Sequence, residues 1–345
     1  METNSSNGPS SFQAPTELVP HEVFTIFVQT LLYGVRPTAI VLGLFSNSLN
    51  ILVFYKMGLK DSVNISFFAL SLSDGTYLTL SSVSAVCDIL FLANLGRHVT
   101  WIIHPSVILL FIYWYAVIFY DTSMLITVFI ALVRCCCVAI PLKFKGVFTR
   151  SRTVVCIVVI TVSTVLTRIP TLITQEIVAQ YDVINNRTVY RLRYTADRPQ
   201  AIELNDIMNR TAIWWIAITT MFVCVVVLAT KLRAASKFRK SHDRGATSQT
   251  SRDDRVVKMV ILVTVLFLVL SLPFMLYSAV RRLVPKFNEV KGYTKLFSLV
   301  TMVTWALAYL NAALNAVVYY NTNSRYKAIV DAGVRAVFCG RAGEK

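Results

Sequence analysis

Three adjacent cysteines raise the first question about chemistry. Cys135, Cys136 and Cys137 follow Arg134 in the segment LVRCCCVAIPL. Cysteine thiolates bind zinc, usually as closely spaced pairs combined with further cysteines or histidines. Consecutive residues of a helix point about 100° apart, so three adjacent thiols cannot converge on one ion. The sequence also lacks two CxxC pairs with histidines at zinc spacing, and it therefore predicts no metal site of this kind.

Two carboxylates stand inside long apolar stretches. Asp74 follows NISFFALSLS, and Asp121 follows FIYWYAVIFY. An ionisable group within a membrane is costly unless it faces protein partners, so such residues are functional candidates. Asp121 lies off the helical stripe of Ala116, Tyr120 and Ser123, and we expect it to hydrogen-bond to the fourth or fifth apolar segment rather than to a ligand. We expect these two carboxylates to be the only charges at mid-depth.

The elements that must position these groups are predicted to be membrane spans. Of the 345 residues, 55% are hydrophobic and 15% charged, against about 25% charged in ordinary soluble domains. About 20 helical residues cross a bilayer. Seven stretches qualify, of which the second is the weakest because serine and threonine dilute it: 28–57, 63–92, 104–138, 153–175, 208–232, 256–283 and 294–320.

The predicted fold is an all-α membrane protein with seven transmembrane helices and an outer N-terminus. Lysine and arginine, which favour the cytoplasmic side, concentrate in the connections that this orientation places inside, especially 233–255. The sequons at Asn4, Asn186 and Asn209 then fall outside, so we expect glycosylation there. The predicted divisions are an extracellular tail over 1–25, the helical bundle over 26–322, and an amphipathic helix with a cytoplasmic tail over 323–345.

Polar residues within the spans carry a family resemblance. The motifs are GLFSNSLNILVF with Asn47, NISFFALSLSD with Asp74, VRCCCVAIPL with Arg134, LSLPF with Pro273, and NAVVY with Asn315 and Tyr319. In this order they resemble the motifs of rhodopsin-like, class A, G-protein-coupled receptors over about residues 25–330. The cysteine-rich stretch and AIPLKFKGVFT are also similar to mollusc chemosensory receptors and invertebrate peptide-type receptors.

The chain departs from the family pattern at Val133, Cys135, Leu109, Ser271 and Ala316. Val133 and Cys135 replace the acid and the tyrosine that flank the family's arginine. Ser271 and Ala316 replace a tryptophan of the sixth span and a proline of the seventh. Leu109 stands where the family has the outer cysteine of the third span, and 176–207 has no cysteine. The resemblance thus implies that the usual extracellular disulfide is absent, which leaves the outer loop less constrained.

The resemblance also implies roles for the polar residues. Arg134 and Tyr319 would couple to the G protein, and Pro273 would kink the sixth span as a hinge. Because the acid before Arg134 is missing, we expect Asp253 or Asp254 to restrain it in the inactive state. A polar switch that could hold Na⁺ as an allosteric ion would comprise Asn47, Asp74, Ser123, Asn311 and Asn315. The alternative is a polar network without an ion.

The residues at the outer mouth of the bundle indicate which ligand classes the protein could bind. Ala116 stands where amine receptors have aspartate, and Tyr309 where opsins have lysine, which disfavours both classes. The expected ligand-binding residues are Tyr113, Ala116, Tyr120, Phe274, Tyr277, Arg281, Arg282, Trp305 and Tyr309. Basic groups around an aromatic cleft suit an anionic small molecule or a peptide. The alternative is that Arg281 and Arg282 only mark the membrane edge.

The expected function is a plasma-membrane receptor that binds an extracellular ligand and activates a heterotrimeric G protein, with a chemosensory role. A neuropeptide receptor and a seven-helix transporter or channel are the alternatives. We expect no enzymatic activity, no cofactor besides Na⁺ and no nucleic acid; arrestin, a receptor kinase and the lipid bilayer are expected partners. Cys339 ends an amphipathic stretch and suits lipidation. For the three adjacent cysteines, on the reducing cytosolic side, packing and palmitoylation both stay open.

Overall fold

The long apolar segments form helices in the computed structural model, which describes residues 18–92, 101–139, 148–183, 186–241, 248–284, 286–287 and 293–339. The helices are α1 His21–Met57, α2 Ser62–Leu92, α3 Pro105–Ala139, α4 Arg150–Leu172, α6 Ser248–Leu283, α7 Thr294–Thr322 and α8 Ser324–Cys339. Helix α5 joins the segments Arg198–Asn205, Asp206–Ile213 and Trp214–Ser241. Two π-helical stretches interrupt this regularity, Thr30–Val35 in α1 and Asp206–Ile213 in α5.

Six of these helices are long and apolar enough to cross a membrane: His21–Met57, Pro105–Ala139, Arg150–Leu172, Arg198–Lys237, Asp254–Leu283 and Thr294–Thr322. Helix α2 has 31 residues, which is ample length at about 1.5 Å per residue, but its polar residues lower its hydropathy. Those residues find partners within the bundle; Ser73 Oγ, for example, donates to the backbone oxygen of Phe119 in α3 at 2.9 Å. The protein is therefore a helical membrane bundle, and the count of seven spans stays a prediction.

Helix α3 is the central helix, because it packs against α2, α4, α5 and α6, while α1 packs against α2 and α7. A glycine allows the close approach of α1 and α2, since a Cβ added at Gly43 would stand 2.6 Å from Leu78 Cδ1. Helix α4 leaves Val155, Val159 and Leu166 exposed. Such an apolar face suits contact with lipid.

A β-hairpin is the one element in the described chain that departs from the predicted all-α fold. Strands β1 Gln175–Asp182 and β2 Arg187–Tyr194 pair in antiparallel register. The N–H of Tyr190 donates to the backbone oxygen of Ile102 at 2.9 Å, which ties β2 to the segment before α3. The Arg198 guanidinium lies 4.3 Å from the Tyr194 ring centroid and 5.6 Å from that of Trp114. Non-covalent contacts thus hold the loop for which the sequence offers no disulfide. We call this end of the bundle the hairpin end and the opposite end the α8 end.

Candidate functional site

A cavity of about 390 Å³ opens at the hairpin end between α1, α2, α3 and α7. Its wall is largely apolar and aromatic. The lining residues are Val28, Leu31, Leu32, Arg36, Tyr77, Ser81, Ser84, Asp88, Leu109, Tyr113, Ala116, Val117, Met302, Trp305, Ala306 and Tyr309. The volume lies near the lower end of the range of about 300–1,000 Å³ that is typical of small-molecule sites.

Four of the predicted ligand-binding residues line this cavity: Tyr113, Ala116, Trp305 and Tyr309. Tyr120 is buried beside it, with its ring centroid 6.2 Å from that of Trp305 and 5.2 Å from that of Tyr77. It forms part of the packing under the cavity rather than of the wall.

The predicted residues of α6 lie elsewhere. Phe274 packs on Trp214 of α5 at 4.7 Å between centroids, and Tyr277 packs against Phe287 and Phe297. Arg281 Nη2 is 3.6 Å from a carboxylate oxygen of Asp206. Arg282 is likewise absent from the cavity lining. Phe274, Tyr277, Arg281 and Arg282 therefore do not line this cavity, and their contact with the ligand stays a prediction.

Two charged residues that the sequence reasoning missed stand in the cavity wall. Arg36 Nη1 pairs with Asp88 Oδ2, and Arg36 Nη2 donates to Ser84 Oγ at 3.1 Å. The Arg36 guanidinium also lies 6.0 Å from the ring centroid of Tyr309. This pair lies at the hairpin end, so it does not test the expectation that Asp74 and Asp121 are the only charges at mid-depth. Opposite charges at similar depth in two predicted neighbouring spans were the signal that could have revealed the pair.

Asp121 has the partners that its position predicted. Arg168 of α4 pairs with one oxygen of its carboxylate, and Trp214 Nε1 of α5 donates to the other at 3.2 Å. Arg168, which is 1% exposed, also donates to Asn205 Oδ1. The buried pair joins three helices, which confirms that Asp121 bonds to the fourth and fifth helices. Arg168 is a further charge that the sequence reasoning missed. Because it pairs with Asp121, the expectation that Asp74 and Asp121 are the only charges at mid-depth is wrong.

A polar core lies between the cavity and the α8 end. Asp74, 2% exposed, accepts hydrogen bonds from Ser123 Oγ at 2.5 Å and from Asn315 Nδ2 at 3.0 Å, so its two oxygens link α2 to α3 and α7. Asn47 Nδ2 donates to the Ala312 oxygen at 2.8 Å and links α1 to α7. Asn311 is buried one helical turn before Asn315. The structure thus brings four of the five predicted switch residues into hydrogen bonds that cross helices.

This polar core has the chemistry to hold a small hard cation. Carboxylate, hydroxyl and amide oxygens are the ligands that such cations prefer. Asn47 Oδ1 is buried and makes no hydrogen bond within the described chain. Its Cβ lies 3.7 Å from the place of a Cβ added at Gly75, next to Asp74. The residues therefore fit Na⁺, with Asp74 supplying the charge.

A known protein family matches most of the chain. The family described as "7 transmembrane receptor (rhodopsin family)" matches residues 46–319. The chain belongs to this family. No curated protein shows a significant match. This rhodopsin-family receptor is accordingly a multi-pass protein of the plasma membrane. The partners that the family implies are an extracellular ligand and an intracellular G protein. In a family with seven spans, α2 is the expected seventh span beside the six apolar helices.

The α8 end of the receptor is closed by an aromatic cluster. Tyr319, fully buried, has its ring centroid 5.1 Å from that of Phe54 and 5.0 Å from that of Phe67. Tyr326 of α8 packs on Tyr319, and its hydroxyl donates to Asn50 Oδ1 at 2.6 Å. Burial raises the pKa of the Tyr326 phenol above its ordinary value, so it stays a donor. Asn50, which the sequence reasoning missed, fastens α8 to α1.

The predicted restraint on the receptor's arginine stays a prediction. Arg134 is half-buried near the end of α3, and Asp254 is half-buried in α6. The side chain of Asp253 lies outside the described residues. Pro273 lies inside the 36-residue α6, where it removes one backbone hydrogen bond and suits the predicted hinge. Cys135 packs against the buried cluster that contains Phe54 and Tyr319, which supports the packing interpretation for that cysteine.

The predicted modification sites of the receptor differ in accessibility. Asn186 is exposed in the hairpin turn, with φ of 49°. Asn209 is 3% exposed, and its Nδ2 donates to the Thr167 oxygen at 3.2 Å and to Asn205 Oδ1 at 3.1 Å. A glycan on Asn209 does not fit this structure, and that prediction is wrong for the folded receptor. Asn4 and the Cys339 side chain lie outside the described residues, although α8 does end at Cys339.

Proposed function

We propose that the protein is a receptor that couples binding of an extracellular ligand to nucleotide exchange on an intracellular heterotrimeric G protein. The single observation that carries the proposal is the polar core around Asp74, which lies between the cavity and Tyr319. Toward the hairpin end, the polar core is followed by packed aromatic rings. Tyr77, one helical turn from Asp74, stacks on Tyr309 at 5.6 Å between centroids. The cavity, the polar core and Tyr319 are thus connected through these contacts and through successive turns of α2 and α7.

The proposed mechanism is a shift between two helix arrangements. A ligand favours the active arrangement only if it binds that arrangement more tightly. Two interhelical contacts would be rearranged, namely the Asp74–Asn315 bond at 3.0 Å and the ring packing of Tyr319, and α6 would bend around Pro273. When bound, Na⁺ would neutralise the Asp74 carboxylate and so favour the arrangement in which its oxygens converge.

Arg134 is proposed to contact the G protein, with Asp253 or Asp254 as its partner in the inactive receptor. Replacing both aspartates with asparagine should raise basal nucleotide exchange, because the restraint would be lost. Unchanged basal exchange at equal surface expression would contradict the restraint. Arrestin and a receptor kinase are proposed as further partners, since Ser and Thr are frequent in 233–255.

The position of the cavity removes the argument that the ligand is anionic. The argument for an anionic ligand depended on Arg281 and Arg282, which lie outside it. A second cavity of about 520 Å³ lies between the hairpin and the start of α3, with Trp101, Arg187 and Arg191 in its wall. Asp182 also lies in this wall. A peptide long enough to reach this surface is the alternative to a small ligand that occupies the first cavity alone.

The test of the proposed function is nucleotide exchange on a panel of Gα proteins by the purified receptor in nanodiscs. Basal exchange and exchange with fractionated peptides and small molecules would be measured for wild type, Arg134→Ala and, as a control from the same end of the bundle, Arg150→Ala. We expect exchange with wild type and the control, and its loss with Arg134→Ala. A ligand-evoked current or uptake without exchange would favour the transporter or channel alternative.

A further inference from the structure

The ion pair in the cavity wall leaves both of its partners with open hydrogen-bonding capacity. The Arg36 side chain is 15% exposed and that of Asp88 is 25% exposed. Arg36 uses Nη1 for Asp88 and Nη2 for Ser84, while its Nε is buried and makes no hydrogen bond to any described residue. The hydrogen bond to Asp88 goes to Oδ2, so Oδ1 can accept from a ligand.

A third polar atom nearby also has open capacity. Tyr77 is 1% exposed, lines the cavity, and its hydroxyl has no hydrogen-bond partner within the described chain. Buried polar groups are normally satisfied by protein, water or a ligand. The cavity wall therefore presents a donor on Arg36 and an acceptor on Asp88, surrounded by apolar and aromatic groups, and the Tyr77 hydroxyl is buried without a hydrogen-bond partner in the described chain.

The charges of Arg36 and Asp88 cancel, so the cavity wall has no net charge. This restricts the charge that a ligand can carry. A ligand with a single charge would add a net charge to a mostly apolar, membrane-embedded cavity, which costs free energy. An uncharged polar ligand makes weaker hydrogen bonds to the guanidinium and the carboxylate than a ligand with complementary charges does. A ligand with one anionic and one cationic group adds no net charge and can bond to both partners.

We propose that this cavity binds a small zwitterion, namely an amino acid or a close analogue. Its carboxylate accepts from the N–H groups of the Arg36 guanidinium that Asp88 and Ser84 leave open, its ammonium donates to Asp88 Oδ1, and its side chain lies against Trp305 and Tyr309. The volume of about 390 Å³ suits a ligand of this size. The proposal deepens the proposed function, on which it rests, by naming the ligand class.

Binding of this kind would also alter the contact between α1 and α2. The Arg36–Asp88 pair joins residues that are 52 positions apart in the sequence. A zwitterion that shares both partners inserts between these two helices at the hairpin end. The adjacent Tyr77–Tyr309 stack then transmits the change toward Asp74.

The test uses ligand-induced thermal stabilisation of the full-length receptor in nanodiscs, without G protein. The probes are the twenty standard amino acids and a series of short ω-amino acids. Each zwitterion that stabilises the receptor is compared with its analogues lacking the ammonium or the carboxylate; for L-phenylalanine these are 3-phenylpropanoate and 2-phenylethylamine. We expect stabilisation by at least one zwitterion, with each analogue binding about tenfold or more weakly, as is usual when a charged hydrogen bond is lost.

Two single variants assign the contacts. Arg36→Gln should remove the preference for a ligand carboxylate, and Asp88→Asn the preference for a ligand ammonium. The double variant Arg36→Gln/Asp88→Asn leaves no uncompensated charge and guards against misfolding of the single variants; it should lose both preferences. The control is Arg193→Gln/Glu176→Gln, which removes an exposed ion pair of the hairpin and should keep them.

Three results would overturn the proposal: no zwitterion in the series stabilises the receptor, the singly charged analogues bind as tightly as the zwitterion, or the double variant keeps its selectivity. Failure of the proposed function is distinguishable, because it would show as binding without Arg134-dependent exchange. Exchange that depends on Arg134 but responds to none of the probes would retain the receptor and refute the zwitterion.

Discussion

At the scale of single residues, the most demanding group in this receptor is Arg168. A guanidinium that is 1% exposed requires compensation, and it receives that from Asp121 and Asn205, with the Trp114 ring centroid 5.9 Å away. Its Nε makes no hydrogen bond within the described chain. A buried pair of this kind contributes little net stability, yet losing one partner leaves an uncompensated charge.

Replacement of Arg168 should therefore destabilise the folded receptor, and a second substitution at Asp121 should restore its stability. Arg168→Met would leave the Asp121 carboxylate buried without its cation, and we expect it to destabilise the receptor by about 3–5 kcal/mol. Adding Asp121→Leu should restore most of the thermal unfolding midpoint measured in nanodiscs. The exposed Arg193→Met serves as the control and should change little. A wild-type midpoint for the single variant would contradict the importance of the pair.

Asp74 leads to a prediction about sodium. Sodium chloride should raise the unfolding midpoint of wild type by about 2 °C or more over potassium chloride at equal ionic strength, since ligand binding stabilises the folded state. Asp74→Asn should abolish the difference, because the charged oxygen ligand is lost. Ser271→Ala, at a buried serine of α6, is the control and should keep it. A sodium effect of equal size in Asp74→Asn would refute an ion site at this carboxylate.

The residues that could be predicted from the sequence were those with a recognisable local pattern. Asp74 and Asn315 stand in motifs, and the structure joins them. The Arg36–Asp88 and Asp121–Arg168 pairs span 52 and 47 positions. Nothing in the local sequence around an arginine specifies which distant helix supplies its partner, because that depends on how the helices pack. Asp121 could be directed to the neighbouring helices by its helical phase, but not to Arg168 itself.

At the scale of elements, the hairpin and the π-helical stretches are the features that matter most beyond the spans. The π-helical stretch Thr30–Val35 ends directly before Arg36, and the stretch Asp206–Ile213 contains Asn209. Such stretches shift the phase of the following helix and often occur at functional sites. Span prediction by hydropathy could not place them, because they respond to tertiary contacts and carry no local signature. The helices that contain the predicted spans 28–57 and 208–232 begin earlier, at His21 and Arg198.

The hairpin tether leads to a prediction about local stability. Tyr190→Pro removes the N–H that donates to Ile102 but leaves the bonds to β1, since in this register that N–H points away from β1. We expect amide exchange in β2 and at the start of α3 to accelerate about fivefold, which corresponds to about 1 kcal/mol for one hydrogen bond. Tyr190→Ala keeps the N–H and should show less change. Equal acceleration in both variants would assign the effect to the side chain.

At the scale of the whole molecule, two apolar clusters are separated by the polar core. One cluster contains Tyr120, Trp214 and Phe274 toward the hairpin end, and the other contains Phe54 and Tyr319 toward the α8 end. Each cluster is closely packed, while the polar layer between them is held by a few hydrogen bonds. A shift of helices at this layer disturbs less apolar packing than a shift within either cluster, which suits a two-state receptor.

Orientation in the membrane is the prediction that belongs to this scale. Because basic residues concentrate in the connections near the α8 end, an epitope tag at the N-terminus should be accessible to antibody on intact cells. A tag after residue 345 should become accessible only after the cells are permeabilised. The opposite result would refute the predicted orientation and place the cavity on the cytoplasmic side.

The hydrogen bond from Tyr190 to Ile102 has a consequence for how the receptor is made. All seven cysteines lie within helices, namely Cys87, Cys135, Cys136, Cys137, Cys156, Cys224 and Cys339, and an amide hydrogen bond holds the outer loop. Maturation should then need neither an oxidising compartment nor a disulfide isomerase. We expect a reducing cell-free system with nanodiscs to yield receptor whose unfolding midpoint is unchanged by dithiothreitol, and a fall in that midpoint would reveal a crosslink.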